Sequence, residues 1–116
     1  MNDNSQIVAD KLAILRKSFA KNLPERLDKI RHHWTALQVD WQADVFNELH
    51  REVHSLAGAS LTYGFVQPGT IARQLEKVIL HLTSSPDAEQ SQEIVRLLST
   101  LQQAVEQTEK EMSVDF

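Results

Sequence analysis

Apolar residues recur three and four positions apart along most of this chain, which is the period of helices buried on one side. From about Ile7 to Phe19 the stripe is Val8, Leu12, Leu15 and Phe19, and a second stripe carries Leu27, Ile30, Trp34 and Leu37. Asn22-Leu23-Pro24 lies between them. Proline breaks or kinks a helix interior, so the segment is either a short break or a kink in one helix, and two helices meeting at a bend are expected. Asp40 is placed to cap a third helix starting near Trp41 and running to about Tyr63, with Val45, Leu49, Val53, Leu56, Ser60 and Tyr63 toward the core.

Gly64 suits the end of that helix, where a left-handed residue is cheap for glycine. Gln67-Pro68-Gly69-Thr70 reads as a turn before a helix striped by Ile71, Leu75, Val78 and Leu82. Ser84-Ser85-Pro86-Asp87 is the clearest loop, and Pro86 at an early helical position opens a last helix striped by Ile94, Leu98, Leu101 and Val105. With short connections, this pattern predicts an all-α protein: an antiparallel four-helix bundle with an additional N-terminal helix or a kinked first helix. Residues 1–116 form a single domain, with 113–116 frayed.

Composition supports that reading. Only three glycines and three prolines occur in 116 residues, which leaves few turn or strand signals. Without cysteine there is neither a disulfide framework nor a thiolate metal site. Twelve basic and sixteen acidic side chains, interspersed, give a formal charge of −4 and argue against nucleic acid as a partner. No segment resembles a signal peptide or a membrane span, so a soluble, cytoplasmic protein is expected.

The chemistry concentrates in the third predicted helix, at His54-Ser55-Leu56-Ala57-Gly58, with Gly64-Phe65 following. At roughly 100° per residue, His54 lies about 145° from the centre of the apolar stripe and should face solvent. The same wheel places His50, Ala57, Gly58, Leu61 and Phe65 around it, a small and partly apolar collar that suits a docking protein better than bare solvent. Gly58 inside a helix costs about 1 kcal/mol relative to alanine. Its outward position makes access to the backbone a better reason for it than close helix packing.

The pattern Leu49-(x)4-His54-Ser-Leu-Ala-Gly58-(x)5-Gly64-Phe65, followed by a helix with Leu75-Glu76, resembles the motif of histidine-containing phosphotransfer (HPt) domains of two-component phosphorelays. The helix order fits over essentially the whole chain. This resemblance implies that His54 accepts a phosphoryl group from the aspartyl phosphate of a receiver domain and passes it to another receiver. It also implies response-regulator receiver domains and a hybrid sensor kinase as partners, Mg²⁺ on the receiver and no cofactor of the chain's own. A monomer is expected, without autonomous kinase activity. The initial methionine and short length favour a free-standing protein over a piece of a hybrid kinase.

Many members of that family carry a lysine three residues after the histidine, where this chain has Ala57. Arg51, one turn before His54 and outward, is the first candidate to supply positive charge instead, with Arg73 and Lys77 on the next helix behind it. Two other readings compete. His50 and His54, four residues apart, share a helix face and could chelate a metal, but two ligands are too few and no third is evident. A helical module could also bind a signalling protein through Ala57, Gly58, Leu61 and Phe65 with no phosphorylation at all. No acidic residue stands at a spacing that would make His54 the base of a nucleophilic triad.

Overall fold

The computed structural model describes residues 3–82 and 84–114. Among them there are four helices and no strand: α1 (Asp3–Val39), α2 (Ala43–Thr62), α3 (Val66–Leu80) and α4 (Ala88–Val114). Each helix packs against two others, α1 on α2 and α4, and α3 on α2 and α4, so the four close a ring around a shared apolar centre. Fully buried Leu23, Leu27, Ile30, Leu49, Leu56, Leu75, Ile79, Ile94, Leu97 and Leu101 fill that centre. Arg16 reaches the Tyr63 carbonyl, Arg26 reaches Ser55 and His33 meets Glu52, so positions on α1 rise as their partners on α2 fall.

The two separate helices expected to meet at Asn22-Leu23-Pro24 are not found: Pro24 stands inside one continuous α1. An interior proline costs about 3 kcal/mol through a lost hydrogen bond and a clash with the preceding turn. Leu23 and Leu27 on either side of it are both fully buried, and each such burial is worth about 1.5–3 kcal/mol, enough to hold the helix through the proline. The first stripe departs from expectation at its N-terminal end. Phe19 is buried, but Val8, Leu12 and Leu15 are 63%, 48% and 50% exposed. The cause is length: α1 has 37 residues and α2 only 20, so its first turns extend along the 57 Å axis with no helix of the described residues beside them.

The connections differ in similar ways. Gln42, not Asp40, precedes the first turn of α2, and its side chain makes no capping bond; its amide instead donates to Asp40 Oδ2 at 2.9 Å. Gln67-Pro68-Gly69-Thr70, expected as a turn, lies within the start of α3. Pro68 is tolerated there because a backbone N–H in the first turn has no partner within its own helix. Gly69 is needed for contact: a Cβ on it would stand 2.7 Å from the Leu61 side chain, so α3 crosses the end of α2 closely. Gly64 adopts φ 83°, as its position after α2 requires.

Asp87 and Gln90 cap α4 reciprocally. The Gln90 N–H donates to Asp87 Oδ1 at 2.8 Å and the Asp87 N–H donates to Gln90 Oε1 at 3.0 Å. Pro86 therefore precedes α4 instead of lying in its first turn. Ile94, Leu98, Leu101 and Val105 are all buried as expected. Of the segment expected to fray, Ser113 and Val114 belong to α4, and residues 115–116 lie outside the described residues. Among the described residues no helix is long and apolar enough to cross a membrane.

Candidate functional site

The α2 stripe faces inward as its spacing requires: Leu49, Val53, Leu56 and Ser60 are buried, with Val45 and Tyr63 partly so. His54 consequently projects from the bundle, its side chain 63% exposed. The ring is nevertheless held. Glu76 on α3 places its carboxylate against it, with Oε2 2.5 Å from His54 Nδ1, while Arg73 Nη1 donates to the other oxygen, Oε1, at 2.7 Å.

Glu76 is an acid in an apolar setting. It is 6% exposed, beside buried Ala72, Leu75 and Ile79. Burial by itself pushes its pKa up, but the hydrogen bond from Arg73 and then that from His54, with the charges behind them, outweigh it and hold the carboxyl below its ordinary value of 4.5. An ionised carboxylate accepts and cannot donate, so His54 Nδ1 carries the hydrogen of the pair. In the neutral ring Nε2 is then the nitrogen with the free lone pair, and it lies on the exposed side chain. A solvent-facing imidazole is thus given one tautomer and one orientation by a buried anion.

Of the other residues singled out by sequence, Arg51 is on the outer surface, 73% exposed, and Nη1 donates to Glu48 Oε2 at 3.1 Å. Gly58 is half-buried, and a Cβ built on it would meet nothing within 4 Å. Internal packing therefore gives no reason for a glycine there. His50 is half-buried, its ring centroid 6.2 Å from that of His54 and its Nε2 3.6 Å from Glu76 Oε2, without a hydrogen bond. Leu61 is 41% exposed.

Two of the collar residues do not face outward. Ala57 is completely buried and Phe65 is 7% exposed. A wheel drawn around one stripe assumes one packing direction, whereas α2 packs on both α1 and α3, and the wider contact takes in Ala57. Phe65 lies beyond the end of α2, where helical phase no longer applies; its ring stacks on Phe19 at 5.7 Å under the Arg16 guanidinium at 4.8 Å. The outward patch thus shrinks to Leu61, with Gly58 and His50 at its margin.

Sequence reasoning missed Glu76 as the partner of His54, although the residue was visible in the Leu75-Glu76 pair. The signal was an acid next to the apolar positions Leu75 and Ile79, where a charge needs a reason. His33 on α1 is half-buried and pairs with Glu52. Among the described residues no three His, Cys, Asp or Glu side chains are set to hold a metal ion.

The family model of the Hpt domain matches residues 14–111, most of the chain. No curated protein and no solved structure matches it.

Proposed function

The chain belongs to the Hpt domain family, whose members act in phosphotransfer within two-component signalling and interact with receiver domains, and from that membership we propose that His54 is the phosphoacceptor of a phosphorelay. The observation that carries this reading is the exposed His54 ring whose Nδ1–H is fixed on buried Glu76, leaving Nε2 free.

In the proposed step the Nε2 lone pair attacks the phosphorus of a receiver's aspartyl phosphate. The N–P bond forms as the bond from phosphorus to the aspartate oxygen breaks, and the aspartate leaves as a carboxylate. Nδ1 keeps its hydrogen, so the ring becomes cationic, and Glu76 is the anion facing that charge. Donation to a second receiver is the same step in reverse. Phosphoryl transfer is mainly positioning and charge stabilisation, and a ring locked in one tautomer is already positioned. Mg²⁺ is supplied by the receiver's acidic pocket, and a hybrid sensor kinase stands upstream, because nothing in the chain resembles a nucleotide-binding kinase domain.

The open space above Gly58 supports its role as the place where a receiver loop and the phosphoryl group approach α2. We read the bundle as antiparallel, on the opposed pairing of α1 and α2, and the protein as a cytoplasmic monomer. Docking without phosphorylation loses support with Ala57 and Phe65, since both are inside.

The test is to incubate wild type and His54→Gln with a phosphorylated receiver domain and follow acid-labile, base-stable label. Label on wild type alone is expected. Equal labelling of the variant, or none on wild type across a broad receiver panel, overturns the assignment.

A further inference from the structure

Phosphorylating His54 creates an electrostatic problem that the site must solve. Glu76 is already an anion, nearly buried and in contact with the ring. The phosphoryl group brings up to two further negative charges onto the other nitrogen of the same ring. The cationic ring offsets Glu76 but not the phosphoryl group. Ala57, next on that side of α2, is buried and carries no charge.

Arg51, Arg73 and Lys77 are the cations that the sequence puts forward on α2 and α3. Arg51 is largely in water and its guanidinium is engaged with Glu48 on its own helix. Lys77 is exposed on α3 and takes no part in the hydrogen bonds around Glu76. Arg73 is different. One carboxylate joins it to the reacting ring, Glu76 Oε1 accepting from Arg73 Nη1 at 2.7 Å and Oε2 from His54 Nδ1 at 2.5 Å. Its side chain is 37% exposed. Among the described residues it donates only to Glu76, so the rest of its planar fork of N–H groups is available to a second anion.

We propose that Arg73 is the charge-compensating residue of the phosphorylated state: its guanidinium stays on Glu76 through one edge and donates to a phosphoryl oxygen on His54 Nε2 with another. This rests on His54 being the phosphoacceptor. A guanidinium suits the task because its donors lie in one plane and can bridge two anions, which is stronger than a point charge shared between them. Before phosphorylation the same residue keeps Glu76 ionised, so a single cation serves both the tautomer of the free ring and the charge of the loaded one.

Potassium phosphoramidate, which phosphorylates imidazole nitrogen chemically, loads His54 without a partner, with ³¹P and side-chain ¹⁵N–¹H spectra as readouts. In wild type the Arg73 Nε–Hε resonance should shift when the phosphohistidine signal appears, while that of Arg51 stays in place. The equilibrium share of phosphoryl group on His54, measured against a phosphorylated receiver domain, should fall about three- to tenfold in Arg73→Ala. Arg73→Gln keeps a donor for Glu76 without the charge and should fall as far, whereas Arg73→Lys, which restores the charge but not the planar fork, should recover only part of the loss. Arg96→Ala on α4, far along the chain, serves as the control for general charge effects, and far-UV circular dichroism checks that each variant folds.

An unmoved Arg73 resonance on phosphorylation, or Arg73→Gln equal to wild type, overturns the proposal while leaving His54 as acceptor. Absence of label on His54 from any receiver overturns the underlying reading instead, so the two failures are separable.

Discussion

Replacing Glu76 by glutamine keeps the shape of the side chain and removes its charge. The amide oxygen can still accept from either His54 Nδ1 or Arg73 Nη1, but the amide NH₂ then faces the other donor. One charge-assisted hydrogen bond is lost, nominally about 1.5–3 kcal/mol. Since the His54 and Arg73 side chains are 63% and 37% exposed, water screens part of that, and about 1–2 kcal/mol is the expected loss at pH 7. For a chain of this size that corresponds to a fall in Tm of roughly 4–10 °C.

The pH dependence makes the prediction specific. Burial alone raises the Glu76 pKa, but Arg73 and His54 more than reverse this, so folding favours the ionised form. The groups facing the carboxylate are Arg73, His54 and, at 3.6 Å, His50. A depressed folded-state pKa means that the stabilisation is complete above the ordinary value of 4.5 and disappears as pH falls through the lower folded value. Urea melts of wild type and Glu76→Gln should therefore differ most near neutrality and converge in acid. A gap that is absent at pH 7, or constant down the whole acid range, refutes the account of Glu76 as a buried, partnered anion. Side-chain ¹⁵N spectra give the chemical counterpart: neutral His54 should be protonated at Nδ1 in wild type and distributed between both nitrogens in the variant.

Gly58→Ala should leave the fold intact or stabilise it by up to about 1 kcal/mol, since the added methyl meets nothing and alanine favours the helix; phosphotransfer assays with a receiver should nonetheless slow, and an unchanged rate removes the access role. Leu56→Ala, at a fully buried position, should cost about 2–5 kcal/mol in denaturant melts, whereas His54→Gln should change stability by less than about 1 kcal/mol while abolishing labelling. Leu12→Ser on the overhanging part of α1, where the leucine is 48% exposed, should move the melting curve by less than about 0.5 kcal/mol; a loss of the size seen for Leu56→Ala would mean that something covers that face in solution.

The features legible in the sequence are those governed by one helix at a time. The α2 and α4 stripes, the outward His54 and the left-handed Gly64 follow from periodicity and backbone sterics, and the structure has each of them. What escaped depends on neighbours. Periodicity identifies the apolar side of α1 at Val8, Leu12 and Leu15 but cannot say whether a helix lies beside it. The local rule about Pro24 is sound, yet it is outweighed by the burial of Leu23 and Leu27, which belongs to the assembled bundle. Ala57 and Phe65 went inside because α2 has two packing partners and because Phe65 is no longer part of it.

Glu76 shows the same division within the site itself. Twenty-two positions separate it from His54, so no spacing rule on one helix could pair them. The junction of α2 and α3 does so: Gly64 turns the chain after Thr62, and Gly69 lets α3 pass against Leu61 without a Cβ between them. That close start sets how α3 lies along α2, with Leu75 and Ile79 in the core and Glu76 beside His54. A bulky residue at position 69 would push against the Leu61 side chain and the backbone behind it, and the hydrogen bond to His54 would be the distant casualty. The glycine nearest the histidine in sequence and the glycine that fixes the register of its partner are thus different residues with different tasks: Gly58 leaves space on the outside of α2, and Gly69 removes it between α2 and α3.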